Sequence, residues 1–507
     1  MTTEPECTST PERIVIAGAG PAGLLLACEL ALAGVPVSVV EREAELPSSS
    51  CGMLLHSRAY DALRSRGLGD RFRDPDTPIW PRTHFALLWL DLSSISDTYY
   101  DLMVPQWRTR QALAARAAEL GVDLIFGHEV VALEDDSNGV TVGIRPTPDP
   151  DTDAPDPERR QVRCAYLVGC DGEHGSVASL AGFEFEQLGP SYRGLLADVK
   201  VAVGGADAFE AGLFATGQFG VLPANPADPT EVRLMTVEFD CDPGPSDRPV
   251  TMAEMKEAIR RITGKDGEFG EPRWTARFGG PTRVAANYRK GRVLLAGDSA
   301  HAHAPVSGNG MNTAMLDAFN LGWKLAATVN GWAPSHLLDT YNDERRPVGR
   351  LACIRSLAQI PLQRPPEQAA PLRELFAELL KIDEVNRYLV EAITHVRHPL
   401  PEAGQTHPLW GESFPFRTLE TQSGPVDTGT LLAPGRGVLL DLSGGDSRLP
   451  DISAWANLID IYHAEPVPEI DAKILLLRPD GHIAWLDQSG TDTEGLMTAL
   501  KTWMGSR

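Results

Sequence analysis

Gly18, Gly20 and Gly23 stand at GxGxxG spacing, directly after the β-branched run Arg13 to Ala17 and at the opening of an apolar helical stretch, Leu24 to Ala33. In that setting each glycine has a task. Gly18 permits the tight turn, Gly20 lets a pyrophosphate approach the backbone, and Gly23 lets the helix pack closely on the strand. Pro21 and Ala22 fill the spacer, and the helix N-terminus turns its partial positive charge toward the phosphates. Glu41, followed by Arg42, ends the next strand roughly twenty residues on, where a carboxylate near solvent can accept ribose hydroxyls. This is dinucleotide chemistry, and the pattern alone does not separate FAD from NAD.

A second stretch, Arg292 to Leu325, reads RVLLAGDSAHAHAPVSGNGMNTAMLDAFNLGWKL. Gly297 and Asp298 follow a strand, so Asp298 can accept the hydroxyls of a ribityl chain. Pro305 starts a turn, and Gly308, Gly310 and Asn312 keep bulk away from a helix start. A third stretch, Tyr166 to Val177 (YLVGCDGEHGSV), carries Asp171 and Gly172. Together the three resemble the flavin site of the para-hydroxybenzoate hydroxylase family, the single-component FAD-dependent aromatic hydroxylases, with the family's GD and DG motifs. The resemblance covers most of the chain and implies FAD, held without a covalent bond. It implies that backbone N–H groups around Met311 and Asn312 hold negative charge at the N1/O2 edge of the flavin. It also sets Gln106 near the ribityl chain and adenosine, and matches Arg58 to an arginine of the helix after the second strand. Three positions depart from the family. Its DG-motif serine and arginine are Gly175 and Ala178 here, and an arginine expected near the pyrophosphate is replaced around Ser50, Cys51 and Gly52.

In hydroxylases of this kind NAD(P)H reduces the flavin, dioxygen forms the C4a-hydroperoxide, and one oxygen passes to an electron-rich ring. The resemblance therefore implies an enzyme that hydroxylates a polycyclic or polyketide-like metabolite. Because the departures fall on arginines that help admit the pyridine nucleotide, a second reading stays open: a flavin-dependent [4+2] cyclase, forming a decalin in a spiro-tetramate or tetronate pathway with FAD as part of the pocket. A third is a FAD-containing binding protein without catalysis. No nucleophilic triad is expected in any of them.

These residues need elements to carry them. The opening is βαβ, and a helical stretch at Gln111 to Leu120 leads through Gly121 to further strand-like segments at Val130 to Leu133 and Gly139 to Ile144. Pro146 to Arg160, rich in proline and aspartate, reads as a solvated loop joining two hairpin strands. Residues 1–185 and 286–405 are expected to build a two-part, doubly wound FAD-binding domain of glutathione-reductase-like Rossmann type. Residues 186–285 are expected to insert an antiparallel substrate sheet, and residues 406–507 to form a small domain resembling the thioredoxin-like tail of polyketide hydroxylases. A proline-rich break is expected at Pro361 to Pro371. The segment near 75–105 holds Trp80, Phe85, Trp89, Tyr99 and Tyr100, candidate pocket walls beside the middle sheet.

At 507 residues with a formal net charge of −23, the chain is ill suited to long contacts with nucleic-acid phosphates, which rest on lysine and arginine patches. A small-molecule partner fits better, with a homodimer as a further expectation. No apolar run approaches membrane-spanning length, and the N-terminus has no secretory pattern. Seven scattered cysteines without CxxC spacing suit a reduced cytoplasm. His301 and His303 lack companions at metal-ligand spacing, so no metal is expected.

Overall fold

The computed structural model describes residues 13–73, 77–95, 99–136, 138–148, 159–189, 192–201, 211–224, 228, 230–239, 241, 250–305, 308–394 and 407–506. Its central sheet has six strands in the order Arg289–Lys290, Val293–Leu295, Tyr166–Gly169, Ile14–Ala17, Val37–Val40 and Asp123–Ile125. All neighbours but the short first pair run parallel. Four of these strands are buried along their whole length and apolar but for Ser38, as a parallel sheet covered on both faces requires. One cover is the helix Pro21–Leu32, apolar on nearly every side and buried from Pro21 to Leu30. It packs against the long helix Asn309–Val329.

Register decides where the motifs end up. Ala17 lies level with both Gly169 and Val40, and Gly169 level with Leu295. The residues that follow (Gly18, Glu41, Asp171 and Asp298) therefore emerge side by side at the carboxyl ends of four adjacent strands, where open α/β sheets hold ligands.

The inserted sheet has five antiparallel strands in the order Gly212–Leu213, Gln218–Pro223, Glu231–Phe239, Tyr192–Lys200 and Trp274–Gly279. The helix Met252–Thr263 covers one face, burying Met255, Ala258, Ile259 and Ile262. Its ends are well specified: Glu254 N–H donates to the Thr251 hydroxyl at 3.2 Å, and Gly264 stops it in the left-handed conformation. The other face of the sheet looks toward the central domain.

Strands Gly139–Pro146 and Arg160–Cys164 pair as a hairpin; residues 149–158 of their connection lie outside the described set. The expected break at Pro361 to Pro371 is mostly helix. After a short turn at Pro361–Gln363, the helix Pro366–Leu379 starts with proline in its first turn, where no N–H is needed, and carries Pro371 inside. The C-terminal domain is a four-stranded mixed sheet in the order Ile459–His463, Gly437–Asp441, Ile474–Leu477 and Ile483–Asp487, closed by the helix Thr493–Met504. Among the described residues no helix is long and apolar enough to cross a membrane. The six described cysteines are free thiols.

Candidate functional site

One cavity of about 890 Å³ opens along the carboxyl ends of the central strands and runs on to the inserted sheet. Its glycine turn is built by close approach. Gly18 has φ of +101°, and a Cβ there would stand 2.3 Å from the Cys170 carbonyl oxygen, so no other residue fits the crossing. A Cβ on Gly20 would meet nothing within 4 Å, because that residue faces the open cavity. Pro21 and Ala22 also line it, while Gly23 lies behind the wall at the helix–strand crossing. The first N–H groups of this helix have no intrahelical acceptor and point into the space a pyrophosphate would fill.

Glu41 differs from the expectation of a carboxylate near solvent. It is buried, with Oε2 accepting from Ala19 N–H at 2.6 Å and Oε1 from Glu43 N–H at 3.0 Å. It thus fixes the shape of the glycine turn as well as lining the cavity with Arg42. Arg110 stands beside it: Nε donates to the Ala19 carbonyl at 3.0 Å, and Nη2 lies 3.0 Å from Glu43 and 3.6 Å from Glu41. The sequence offers Arg110, with Arg58, as a replacement for the missing nucleotide-phosphate arginines but not as a residue of the glycine turn, where the structure places it.

Gln106 opens the helix Gln106–Glu119 and clasps the loop where the family arginine is missing. Gly52 N–H donates to its Oε1 at 3.2 Å, its own N–H donates to Gly52 O at 2.9 Å, and Trp107 N–H donates to Ser50 Oγ at 3.0 Å. From the inserted sheet, buried Arg233 donates to the carbonyls of Ser50 and Cys51 while both ends of its fork engage the Asp198 carboxylate at 2.7 and 2.8 Å. The loop therefore presents carbonyls to a neighbouring cation instead of a cation to the cavity. Cys51 is exposed toward the cavity, and removal from bulk water pushes its thiol up to about 11 against the opposing effect of Arg233, so it stands as the protonated thiol at neutral pH.

Asp171 is engaged with the protein: Oδ2 accepts from Val177 N–H at 3.0 Å and Oδ1 from Ser299 Oγ at 2.8 Å, while Gly172 N–H donates to the same Ser299 hydroxyl at 2.9 Å. The pair ties the DG turn to the GD turn. Burial raises the Asp171 carboxyl, an effect opposed by those hydrogen bonds. Gly175 has a reason to be glycine, since a Cβ there would stand 2.0 Å from the Asp171 carboxyl carbon. Ala178 is packed into the core of the central domain.

Asp298 forms part of the cavity floor and accepts no hydrogen bond from any described residue. Its carboxylate is open to the cavity yet walled by protein behind. That removal from bulk water, with Glu173 and Asp317 adding and His301 opposing, raises it to about 6. Gly297 sits behind it, its N–H donating to Asp317 Oδ2 at 3.1 Å. Asp317 is fully buried between His301 Nε2 at 2.7 Å and Arg345 Nε at 2.6 Å. Burial pushes the Asp317 carboxyl up, but Arg345 and His301 outweigh it and hold it below the usual range. His303 lines the cavity with Nδ1 donating to the Ala304 carbonyl at 2.9 Å, and burial drives its pKa down to about 4, so the ring is neutral.

Pro305, Gly308, Gly310 and Met311 line the wall where the helix Asn309–Val329 begins. Asn312 lies behind it and braces the turn, accepting from His56 N–H at 2.9 Å and donating to Leu54 O at 3.1 Å and Gly308 O at 2.9 Å. Arg58 is not brought to the cavity. It faces the C-terminal domain, near Asp61 and His482, because its helix Ser57–Arg64 turns that side outward. The aromatic segment also differs from expectation. Trp80 and Trp89 are exposed and touch each other, Phe85 stacks on Phe376, Tyr99 packs in that same cluster, and Tyr100 lies against Tyr60. The segment lines the cavity with His84 and Leu87 instead, and the far wall comes from Tyr192, Leu196, Met235, Phe239 and Phe278.

The residues present fit an FAD. Gly20 and Gly172 leave open room where any side chain would intrude, a helix N-terminus meets each end of that room, and Asp298 is an acceptor without a donor among the described residues. Glu41, Arg42 and Arg110 would hold the adenosine end, the glycine turn the pyrophosphate, Asp298 and Gln106 the ribityl chain, and the helix start at Gly310 and Met311 the pyrimidine edge.

Comparison with known proteins agrees. The family described as FAD binding domain matches residues 12–356, and the one described as aromatic-ring hydroxylase, C-terminal, matches residues 407–506. A 12-dehydrotetracycline 5-monooxygenase/anhydrotetracycline 6-monooxygenase of Streptomyces rimosus is 39% identical over 508 residues, covering 97% of this chain and 98% of the relative. A dialkyldecalin synthase of Streptomyces rugosporus is 36% identical over 502 residues, covering 97% and 99%. The solved structure of an anhydrotetracycline hydroxylase from Streptomyces rimosus superposes with a TM-score of 0.88 at 39% identity, covering 98% of this chain and 99% of that one.

Proposed function

Because the chain belongs to the family of FAD-dependent aromatic and polyketide hydroxylases, we propose that it uses NAD(P)H and dioxygen to hydroxylate a polycyclic aromatic metabolite of polyketide type. The observation that carries this reading is the continuity of one cavity from the FAD cradle at Gly18 and Asp298 to an apolar wall of Tyr192, Leu196, Met235, Phe239 and Phe278. Bound FAD supplies the redox chemistry, accepting a hydride and activating dioxygen for an electron-rich ring. The protein's share is position, electrostatics and dryness. The helix start at Gly310 and Met311 favours negative charge at its own N–H groups. Asp298 orients the ribityl hydroxyls. The inserted sheet excludes water and holds a flat apolar ligand at one height above the cradle. Neutral His303 neither adds nor removes charge there at pH 7.

A second reading, a [4+2] cyclase with FAD as part of the pocket, draws support from the dialkyldecalin synthase relative and from the loop at Ser50 and Cys51, whose carbonyls are turned to Arg233 where an arginine would serve a pyridine nucleotide. The two readings separate in one assay. The FAD-loaded protein is offered aromatic polyketides with NADPH in air, and linear polyenes anaerobically without reductant. Ligand-stimulated NADPH oxidation with a product one oxygen heavier supports the hydroxylase; an isomeric product formed without reductant defeats it. We further read the C-terminal domain as thioredoxin-like, from its mixed four-stranded sheet with a closing helix, and as a packing or dimer element because it has no CxxC. The protein is read as a cytoplasmic homodimer that does not bind nucleic acid, on its charge and its free thiols.

A further inference from the structure

Ala86 and Leu87 have φ of +53° and +64°, the only described residues other than glycine in the left-handed region. They form the two-residue turn between the antiparallel strands Arg82–Phe85 and Leu88–Asp91, where Phe85 pairs with Leu88. A turn with both central residues left-handed is the favoured hairpin geometry, and it ordinarily recruits Asn, Asp or Gly. Here a β-carbon is carried at both positions against local preference. Strain of this kind persists only where the surroundings over-determine it.

The surroundings do so from three sides. Ala86 is fully buried, its N–H donates to Gln359 Oε1 at 2.7 Å, and its carbonyl accepts from Arg373 Nη1 at 2.7 Å. The same Arg373 nitrogen donates to the Leu362 carbonyl at 2.9 Å, so the hairpin tip is fastened at once to the last residue of the helix Thr340–Gln359 and to the middle of the helix Pro366–Leu379. Phe85 stacks on Phe376 with ring centres 6.0 Å apart and planes within 7°. The strand behind the tip is exposed at Trp89, which touches the exposed Trp80 just before the hairpin, yet the tip itself turns inward and sets Leu87 in the cavity wall beside His84 and Gln363. An asparagine or glycine would relieve the backbone but place no apolar side chain there.

We propose that Leu87 is a specificity-determining residue: the fastened, strained tip holds its side chain as a fixed apolar stop in the cavity and so limits the size of the ring system that can lie at the flavin. This rests on the reading of the cavity as a site for polycyclic aromatic ligands. A stop on a mobile loop would yield to a larger ligand; one pinned by Gln359 and Arg373 does not. The side chain acts on the ligand by shape alone, so its replacement changes which ring count binds and leaves FAD retention as it was.

The test uses the FAD-loaded full chain and three probes of increasing size: 1-naphthol, 1-hydroxyanthraquinone and a hydroxynaphthacenequinone. Binding is read from the change each causes in the oxidised flavin spectrum, which needs no turnover. In Leu87→Gly the ratio of four-ring to two-ring affinity is expected to rise at least tenfold, with Tm unchanged or raised because the left-handed backbone suits glycine. In Leu87→Trp the four-ring probe is expected to be lost while the two-ring probe still binds. A lowered Tm with an unchanged ratio in Leu87→Gly would mark Leu87 as packing only and overturn the proposal, whether or not Leu87→Trp folds. Failure of every probe to perturb the wild-type flavin would defeat the ligand-class reading and the proposal with it. Binding to wild type with an unaltered ratio in the variants defeats the proposal alone.

Discussion

Two carboxylates with the same nominal task have different environments, and the difference is measurable. Asp298 is an acceptor held in the cavity floor with its pKa raised to about 6, whereas Glu41 is committed to the N–H groups of Ala19 and Glu43. Asp298→Ala should weaken FAD by about 1–3 kcal/mol, leaving ribityl hydroxyls unpaired, without lowering the Tm of the apoprotein. Glu41→Ala should lower apoprotein Tm and FAD affinity together, since it strips acceptors from a buried turn. Because a raised folded pKa means the charged form is disfavoured in the empty site, Asp298 costs the apoprotein stability in full above about pH 6, and that cost shrinks as pH falls below 6 and is gone below the unfolded carboxyl value of 3.8. FAD affinity should move the other way, weakening from pH 8 to pH 5 in wild type and flattening in Asp298→Asn. Fluorescence titration of FAD and apoprotein melting curves at each pH check both directions. The motif glycines and Asp298 were legible because their spacing encodes backbone geometry. The side of the helix on which Arg58 falls was not, since that depends on which domain packs there.

Connections between elements carry the next level of control. The substrate sheet reaches the flavin side through Arg233, whose fork is filled by Asp198 and whose remaining nitrogen holds the carbonyls of Ser50 and Cys51. Asp198→Ala leaves a buried guanidinium without its partner and should destabilise the protein by about 3–5 kcal/mol in urea. Removing both charges in Asp198→Leu/Arg233→Met should cost less than the single change, yet speed FAD release, because the loop clasped by Gln106 loses its second anchor. Equal unfolding midpoints for the single and double variants, with equal FAD release rates, would show that the loop is held by Gln106 alone. At this scale the strands of the sheet were readable from alternation. The aromatic segment was misread because ring density looks the same in a core, on a surface and in a pocket. What brings Leu87 and His84 inward is a turn conformation that their residue types do not advertise.

Across the whole molecule, the C-terminal domain is keyed into the flavin helix by charge. Arg478, fully buried, pairs with Glu344 at 2.8 and 2.9 Å and with Asp480; Lys324 lies 3.0 Å from Glu344, and Asn320 and Trp323 donate to Asp480, each at 3.2 Å. Arg66, paired with Glu29 at 2.8 Å, reaches across to the carbonyls of Leu432 and Pro479. Burial pushes Glu344 up, but Arg478 and Lys324 overcome it and hold its pKa near 2. Its contribution to stability is therefore complete above pH 4.5 and disappears as pH falls toward 2. Deleting residues 407–507 strands Glu344 and Lys324 in a newly wetted but misfitting surface, so the truncated chain should be insoluble or free of FAD. A soluble, FAD-bound fragment would show the two domains to be independent. Glu344 and Arg345 stand in the charged sequence DERR from Asp343 to Arg346, which reads as a solvated face; that they lie buried and paired is not legible there, because their partners come from other elements.

The strand order sets a timetable for synthesis on the ribosome. Tyr166–Gly169 has Ile14–Ala17 on one edge from early on, but its other neighbour, Val293–Leu295, is made only after the whole inserted sheet. At roughly 5–20 residues per second, that edge waits on the order of ten seconds with its N–H and C=O groups unpaired. Asp298 arrives with the late strand and Arg478 later still, so the nascent chain presents a glycine turn before it has a floor for the flavin. The five strands of the antiparallel insert, by contrast, find all their partners among themselves, so that sheet has its full set of strands before the late strand is made.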